Sequence, residues 1–116
     1  MTAEELDRTL GALADRTRRA VIERLSSGPL RASSLADAMD VSRPAMSKHL
    51  RILRDAGLVD PVFDEQDARA RVYHLRPATL RTVRAWLDRV EVAWQGQLEG
   101  FKAHPEGVAR VRGTSR

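Results

Sequence analysis

The chain has 116 residues, room for one domain and a single core with little to spare. It contains no cysteine, which excludes disulfides and thiolate metal chemistry, and few aromatics, so the core must be built from Leu, Val, Ile, Ala and Met. A formal charge of +4 and a pI of about 10.6 admit a polyanionic partner without requiring one. All the basic residues except Lys48 and Lys102 are arginines, the side chain that forks onto phosphate and guanine. The opening MTAEELDRTL has no basic stretch leading into an apolar one, and no apolar run reaches the roughly 18 residues of a membrane span. A cytoplasmic protein without membrane contact is expected.

In chain order, Thr2 and Glu5 fit a capping box, with Leu6, Leu10 and Leu13 as the stripe of a first helix. This helix is mostly stripe and needs a neighbour to cover it. Asp15 can cap a second helix, Arg16 to Leu25, that buries Val21, Ile22 and Leu25. Its arginines 16, 18, 19 and 24 either touch phosphate or are solvated. Ser26-Ser27-Gly28-Pro29 breaks the chain. Ser33 or Ser34 then opens a short helix through Met39, with Leu35, Ala36 and Met39 inward, and Asp40-Val41-Ser42 is a tight turn.

The stretch that follows, Val41 to Val59, organises the rest. Ser42 is placed to cap a helix, and Pro44 falls in the first turn, where its missing N–H costs little. Met46, Leu50 and Leu53 make one apolar face. Arg43, Ser47, Lys48, Arg51 and Arg54 occupy the rest of the cylinder, and Gly57 can take the left-handed position that ends the helix. A short helix, a tight turn and a second helix with a basic, hydroxyl-bearing outer face form a helix-turn-helix pattern suited to a DNA major groove. His49 lies beside the apolar face, and a packed or phosphate-contacting imidazole suits it better than a metal ligand or a base.

Val59 to Phe63 and Arg69 to Leu75 read as a hairpin around residues 64–68. Pro61 cannot donate to a ladder, so its strand belongs at an edge. Arg69, Arg71 and Tyr73 share one face, opposite Ala70, Val72 and His74. A hairpin directly after such a helix is a wing, with arginines in reach of DNA backbone or minor groove. Pro77 opens a last, long helix in which Leu80, Val83, Leu87, Val90, Trp94, Leu98 and Phe101 form a near-heptad seam. That is more apolar edge than so small a core needs, so a two-fold dimer is expected, with Trp86 and Trp94 as candidate anchors. The expected domain is 1–103, and 104–116 (HPEGVARVRGTSR), with Pro, Gly and Arg but no period, is expected to be a disordered basic tail.

Three segments together, ALADRTRRAVIERL (Ala12 to Leu25), SSLADAMDVSRPAMSKHLRILRDAGLV (Ser33 to Val59) and the hairpin, resemble the ArsR family of bacterial winged-helix repressors. The resemblance covers roughly residues 5–100, and Ser47-Lys48-His49-Leu50 with Ala56-Gly57-Leu58-Val59 carries most of it. It implies a mostly α winged helix-turn-helix fold with a small β-hairpin, paired through first and last helices, that blocks transcription on an inverted repeat. By position, Arg43, Ser47 and Lys48 match residues that enter the major groove, while Ser42, Arg69 and Arg71 match phosphate or minor-groove contacts. The full set of candidate DNA contacts adds His49 and Arg51. Leu6, Leu10, Leu87, Val90, Trp94 and Leu98 are the candidate dimer contacts.

Three departures from the family pattern stand out. The short helix before the reading helix lacks the cysteines with which many members sense metals. The last helix lacks the Asp-x-His pair and the distant His and Glu that bind zinc in others. The wing tip carries Asp64, Glu65 and Asp67 in place of Gly and Arg, and carboxylates meet phosphate unfavourably. No cofactor or metal site is therefore expected, and the inducer is not encoded in any readable pattern. Without a Cys nucleophile, a glycine-rich phosphate loop or paired carboxylates at catalytic spacing, no enzymatic activity is expected. The leading reading is a homodimeric repressor on an inverted-repeat operator. The alternatives are a metal-responsive repressor of the same fold and a protein-interaction module built on the last helix.

Overall fold

A computed structural model describes residues 1–63, 65–67 and 70–102. The elements are α1 (Ala3–Leu13), α2 (Arg16–Leu25), β1 (Leu30–Arg31), α3 (Ala32–Met39), α4 (Arg43–Asp55), β2 (Val59–Phe63), β3 (Arg71–Leu75) and α5 (Pro77–Lys102). The chain divides into two compact units, Met1–Val83 and Arg84–Arg116.

Local chemistry sets most of the helix boundaries in the first unit. Thr2 Oγ1 accepts from the Glu5 N–H at 3.0 Å, Asp15 Oδ1 from the Arg18 N–H at 3.0 Å and Ser42 Oγ from the Ala45 N–H at 3.2 Å. Each satisfies one of the donors that a helix start leaves open. Two helices end in the same hydrogen-bonded motif. At the end of α4, Gly57 has φ +75°; its N–H donates to Arg54 O and the Leu58 N–H to Leu53 O, both at 2.9 Å. At the end of α3 the left-handed residue is Asp40, φ +55°, with Val41 N–H donating to Ala36 O at 3.0 Å.

The core of this unit gathers Val21, Leu25, Leu35, Met46, Leu50, Leu53, Leu58 and Val59, all with essentially no exposure. The apolar face expected for α4 is therefore the buried one. Of the α2 residues expected inside, Val21 and Leu25 are buried and Ile22 is half-buried.

The sheet has three strands in the order β1-β3-β2, all antiparallel. β2 is an edge strand, as its proline requires, and Pro61 lies opposite Tyr73. Tyr73 is buried, while Val62 and Phe63 on the outer strand are exposed. Beyond β3, the Arg76 N–H donates to Leu58 O at 2.9 Å and its side chain pairs with Asp60 at 3.3 Å.

Three expectations are corrected and one strand is added. The three-leucine stripe of α1 is not its buried line: Thr9 and Ala12 are, while Leu10 is 38% exposed and Leu6 and Leu13 are half-buried. Small residues at 9 and 12 suit close packing, and the Thr9 hydroxyl donates to Glu5 O at 2.9 Å and lies 3.4 Å from Ala56 O at the end of α4. Next, α3 starts at Ala32 with Arg31 as an extended N-cap that makes no side-chain cap bond, so neither Ser33 nor Ser34 opens it. A two-residue strand, β1, also feeds that helix directly, pairing Leu30 with Tyr73 and Arg31 with Val72. Last, β3 begins at Arg71; Arg69 lies outside the described residues, as do Asp64, Ala68 and the tail from 103.

Candidate nucleic-acid interface

The site is assembled on α4, whose cylinder has three distinct sides. Met46, Leu50 and Leu53 face the core. Arg43, Ser47, Arg51 and Arg54, spaced by whole turns, face outward and form one wall of an open cleft of about 560 Å³. Arg31, Ala32 and Ser33, at the junction of β1 and α3, form a second wall; Ala70, Arg71 and Tyr73, leading into and along β3, form the third. Five arginines from three elements thus converge on one concavity. That arrangement suits a ligand carrying repeated negative charge, since guanidinium groups bind phosphate oxygens bidentately. The N-terminus of α4, with its own partial positive charge, opens at one end of this face.

Among the sequence-derived candidates, Arg43, Ser47, Arg51 and Arg71 are brought together on the cleft. Ser42 and Lys48 are exposed on the first two turns of α4 but do not line it. Arg43 also lies 4.0 Å from Asp37 of α3, with both side chains largely exposed, a pairing that contributes little to stability. Arg31 and Arg54 are additions. Arg54 was detectable, because it continues the 43, 47, 51 face by one more turn. Arg31 was not, because only the pairing of β1 with a strand some forty residues away brings it here.

His49 is turned away from the cleft, towards α2. Its Nδ1 lies 3.2 Å from a terminal nitrogen of Arg18. Arg18 is also not a free phosphate contact: its Nε donates to Ala12 O at 2.8 Å and its other terminal nitrogen to Gly11 O at 3.4 Å. Arg19 similarly donates to Leu13 O at 2.9 Å. These guanidinium groups satisfy the carbonyls at the end of α1, where the helix carries partial negative charge. The carboxyl of Asp15 is held below its ordinary range, chiefly by accepting the Arg18 backbone N–H and further by the charge of the Arg18 side chain.

Among the described residues no three His, Asp or Glu side chains are placed to share a metal ion, and no helix is long and apolar enough to cross a membrane.

A short helix, a left-handed turn and a second helix with an arginine face, followed by a hairpin that adds its own arginine, define a winged helix-turn-helix DNA-binding protein. The helix-turn-helix domain family matches residues 13–62. The HTH-type transcriptional regulator Rv2034 of Mycobacterium tuberculosis is 46% identical over 95 residues, covering 82% of this chain and 83% of the relative. The arsenical resistance operon repressor of Escherichia coli is 33% identical over 100 residues, covering 84% and 80%. The solved structure of an ArsR-like transcriptional regulator from Rhodococcus sp. RHA1 superposes with a TM-score of 0.77 at 33% identity, covering 86% of this chain and 92% of that one. The chain belongs to the ArsR family of winged helix-turn-helix transcriptional regulators.

Proposed function

We propose that this regulator is a cytoplasmic, homodimeric repressor that occludes an inverted-repeat operator, with α4 of each protomer in consecutive major grooves. The observation that carries the reading is the outward face of α4, where Arg43, Ser47, Arg51 and Arg54 stand in line beside Arg31 and Arg71. Arg43 on that face and Lys48 beside it, both in the first two turns of α4, reach base edges, and Ser47 adapts to either donor or acceptor. Arg51, Arg54, Arg31 and Arg71 hold phosphates on either side and fix the register, and Ser42 contributes a hydroxyl at the helix start. Arg69 is assigned to the same backbone contact by sequence position alone. His49 supports the face from behind.

The dimer contacts are Leu6 and Leu10 on α1 and Leu87, Val90, Trp94 and Leu98 on α5. Leu10, Leu87, Val90 and Trp94 are all exposed in the single chain. The protein binds DNA and catalyses nothing, and it needs no metal or cofactor to do so.

The test is fluorescence anisotropy of the purified protein on the DNA upstream of its own gene, against a scrambled duplex, at two salt concentrations, with zinc and with chelator. A preference of about 4 kcal/mol or more for the native fragment, indifferent to metal, is the expected outcome. Equal, steeply salt-dependent binding to both duplexes would reduce the interaction to phosphate contacts and overturn the reading.

A further inference from the structure

The reading face of α4 has a polar support on its opposite side that the DNA contacts do not use. A guanidinium has donors only, so the 3.2 Å approach of Arg18 to His49 makes Nδ1 the acceptor and leaves the ring proton on Nε2. Arg18 is itself held at several points. Nε and a terminal nitrogen donate to Ala12 O and Gly11 O, and Asp15 Oδ2 lies 3.9 Å away while Asp15 Oδ1 caps α2. The side chain is only 15% exposed. It therefore forms a strut from the α1–α2 junction to the middle of the reading helix.

We propose that Arg18 and His49 are positioning residues for operator discrimination, fixing the rotation of α4 about its own axis. The proposal rests on the repressor reading above. Met46, Leu50 and Leu53 decide which side of α4 faces the core, but burial is roughly proportional to area and changes only gradually over a small rotation. A hydrogen bond is directional and weakens steeply off axis. His49 follows Lys48 and lies two residues beyond Ser47, so a small rotation there moves the residues that reach base edges. Directional base contacts are lost by such a rotation, while diffuse phosphate attraction survives it.

The experiment compares wild type with His49→Ala, His49→Asn, His49→Gln and Arg18→Met on operator and scrambled duplexes. His49→Ala and Arg18→Met are expected to lower the ratio of operator to scrambled affinity about tenfold, the equivalent of one charge-assisted hydrogen bond. Asparagine carries an acceptor oxygen near the place of Nδ1, so His49→Asn is expected to restore the ratio. Glutamine carries its oxygen near the place of Nε2, so His49→Gln is not. A histidine that touches phosphate would instead lower both affinities together and flatten the salt dependence, and that result overturns the proposal. So does a ratio unchanged in His49→Ala or restored equally by Asn and Gln. A wild type without operator preference overturns the repressor reading and this proposal with it; a discriminating wild type matched by His49→Ala overturns this proposal alone.

Discussion

Two left-handed residues end the two helices of the DNA-binding motif, and they have opposite consequences for substitution. Asp40 carries a side chain at φ +55°, a conformation that costs an ordinary L-residue about 1–2 kcal/mol and aspartate somewhat less. Asp40→Gly should therefore stabilise the protein by about 0.5 kcal/mol, read as a higher urea midpoint at unchanged slope. Gly57 is at φ +75°, and a Cβ there would stand 3.3 Å from Thr79 Oγ1, the hydroxyl that donates to Gly57 O. Gly57→Ala should destabilise by about 1–2 kcal/mol on the same assay, and a neutral result would mean that the turn can relax. In the first two turns of α4, Arg43→Ala and Lys48→Ala should each weaken operator binding by about 1–3 kcal/mol without lowering the melting temperature. Unchanged affinity in both would place base reading elsewhere on α4.

Among the elements, those whose signals are local were legible in the sequence. Thr2, Asp15 and Ser42 cap as expected because a cap bond spans only three residues, and Pro61 marks an edge because a missing donor has one consequence wherever it falls. What was missed depends on distant partners. Two residues of β1 carry no period of their own, and they exist as a strand only through β3. The burial of Thr9 and Ala12 is set by close approach between helices, to which hydropathy is blind. The candidate site divides along the same line: the α4 face follows from helical spacing, whereas Arg31 and the Arg18–His49 contact need the tertiary structure. The Asp15 cap also predicts a pH effect. Its native pKa is depressed below 3.8, so the charged form stabilises the fold above that value, and this contribution is lost as pH falls through the native pKa. Asparagine caps about as well but carries no charge. The stability advantage of wild type over Asp15→Asn, measured by urea denaturation, should be constant near neutrality and vanish on acidification below about pH 4. A gap that persists into strong acid would mean the carboxylate's charge is not its source.

At the scale of the whole molecule, the feature that one chain leaves unexplained is α5 beyond Val83. Leu87, Val90 and Trp94 are 52%, 48% and 45% exposed, at spacings that keep them on one side of the helix together with Leu98. A soluble protein seldom leaves a continuous apolar row in water, and a second copy offering the same row would cover it with two-fold symmetry. Two linked reading heads bind two half-sites with an avidity that exceeds one head by a factor of about 10²–10⁴. Leu87→Glu combined with Val90→Glu places charge in the middle of that row while leaving the buried residues of Met1–Val83 untouched. The variant should sediment as a monomer, keep its helical content, and lose at least about 100-fold in affinity for a full operator while binding an isolated half-site as well as wild type does. If it remained dimeric with full operator affinity, the pairing surface would lie elsewhere, and the exposed row on α5 would be left to a partner other than a second copy.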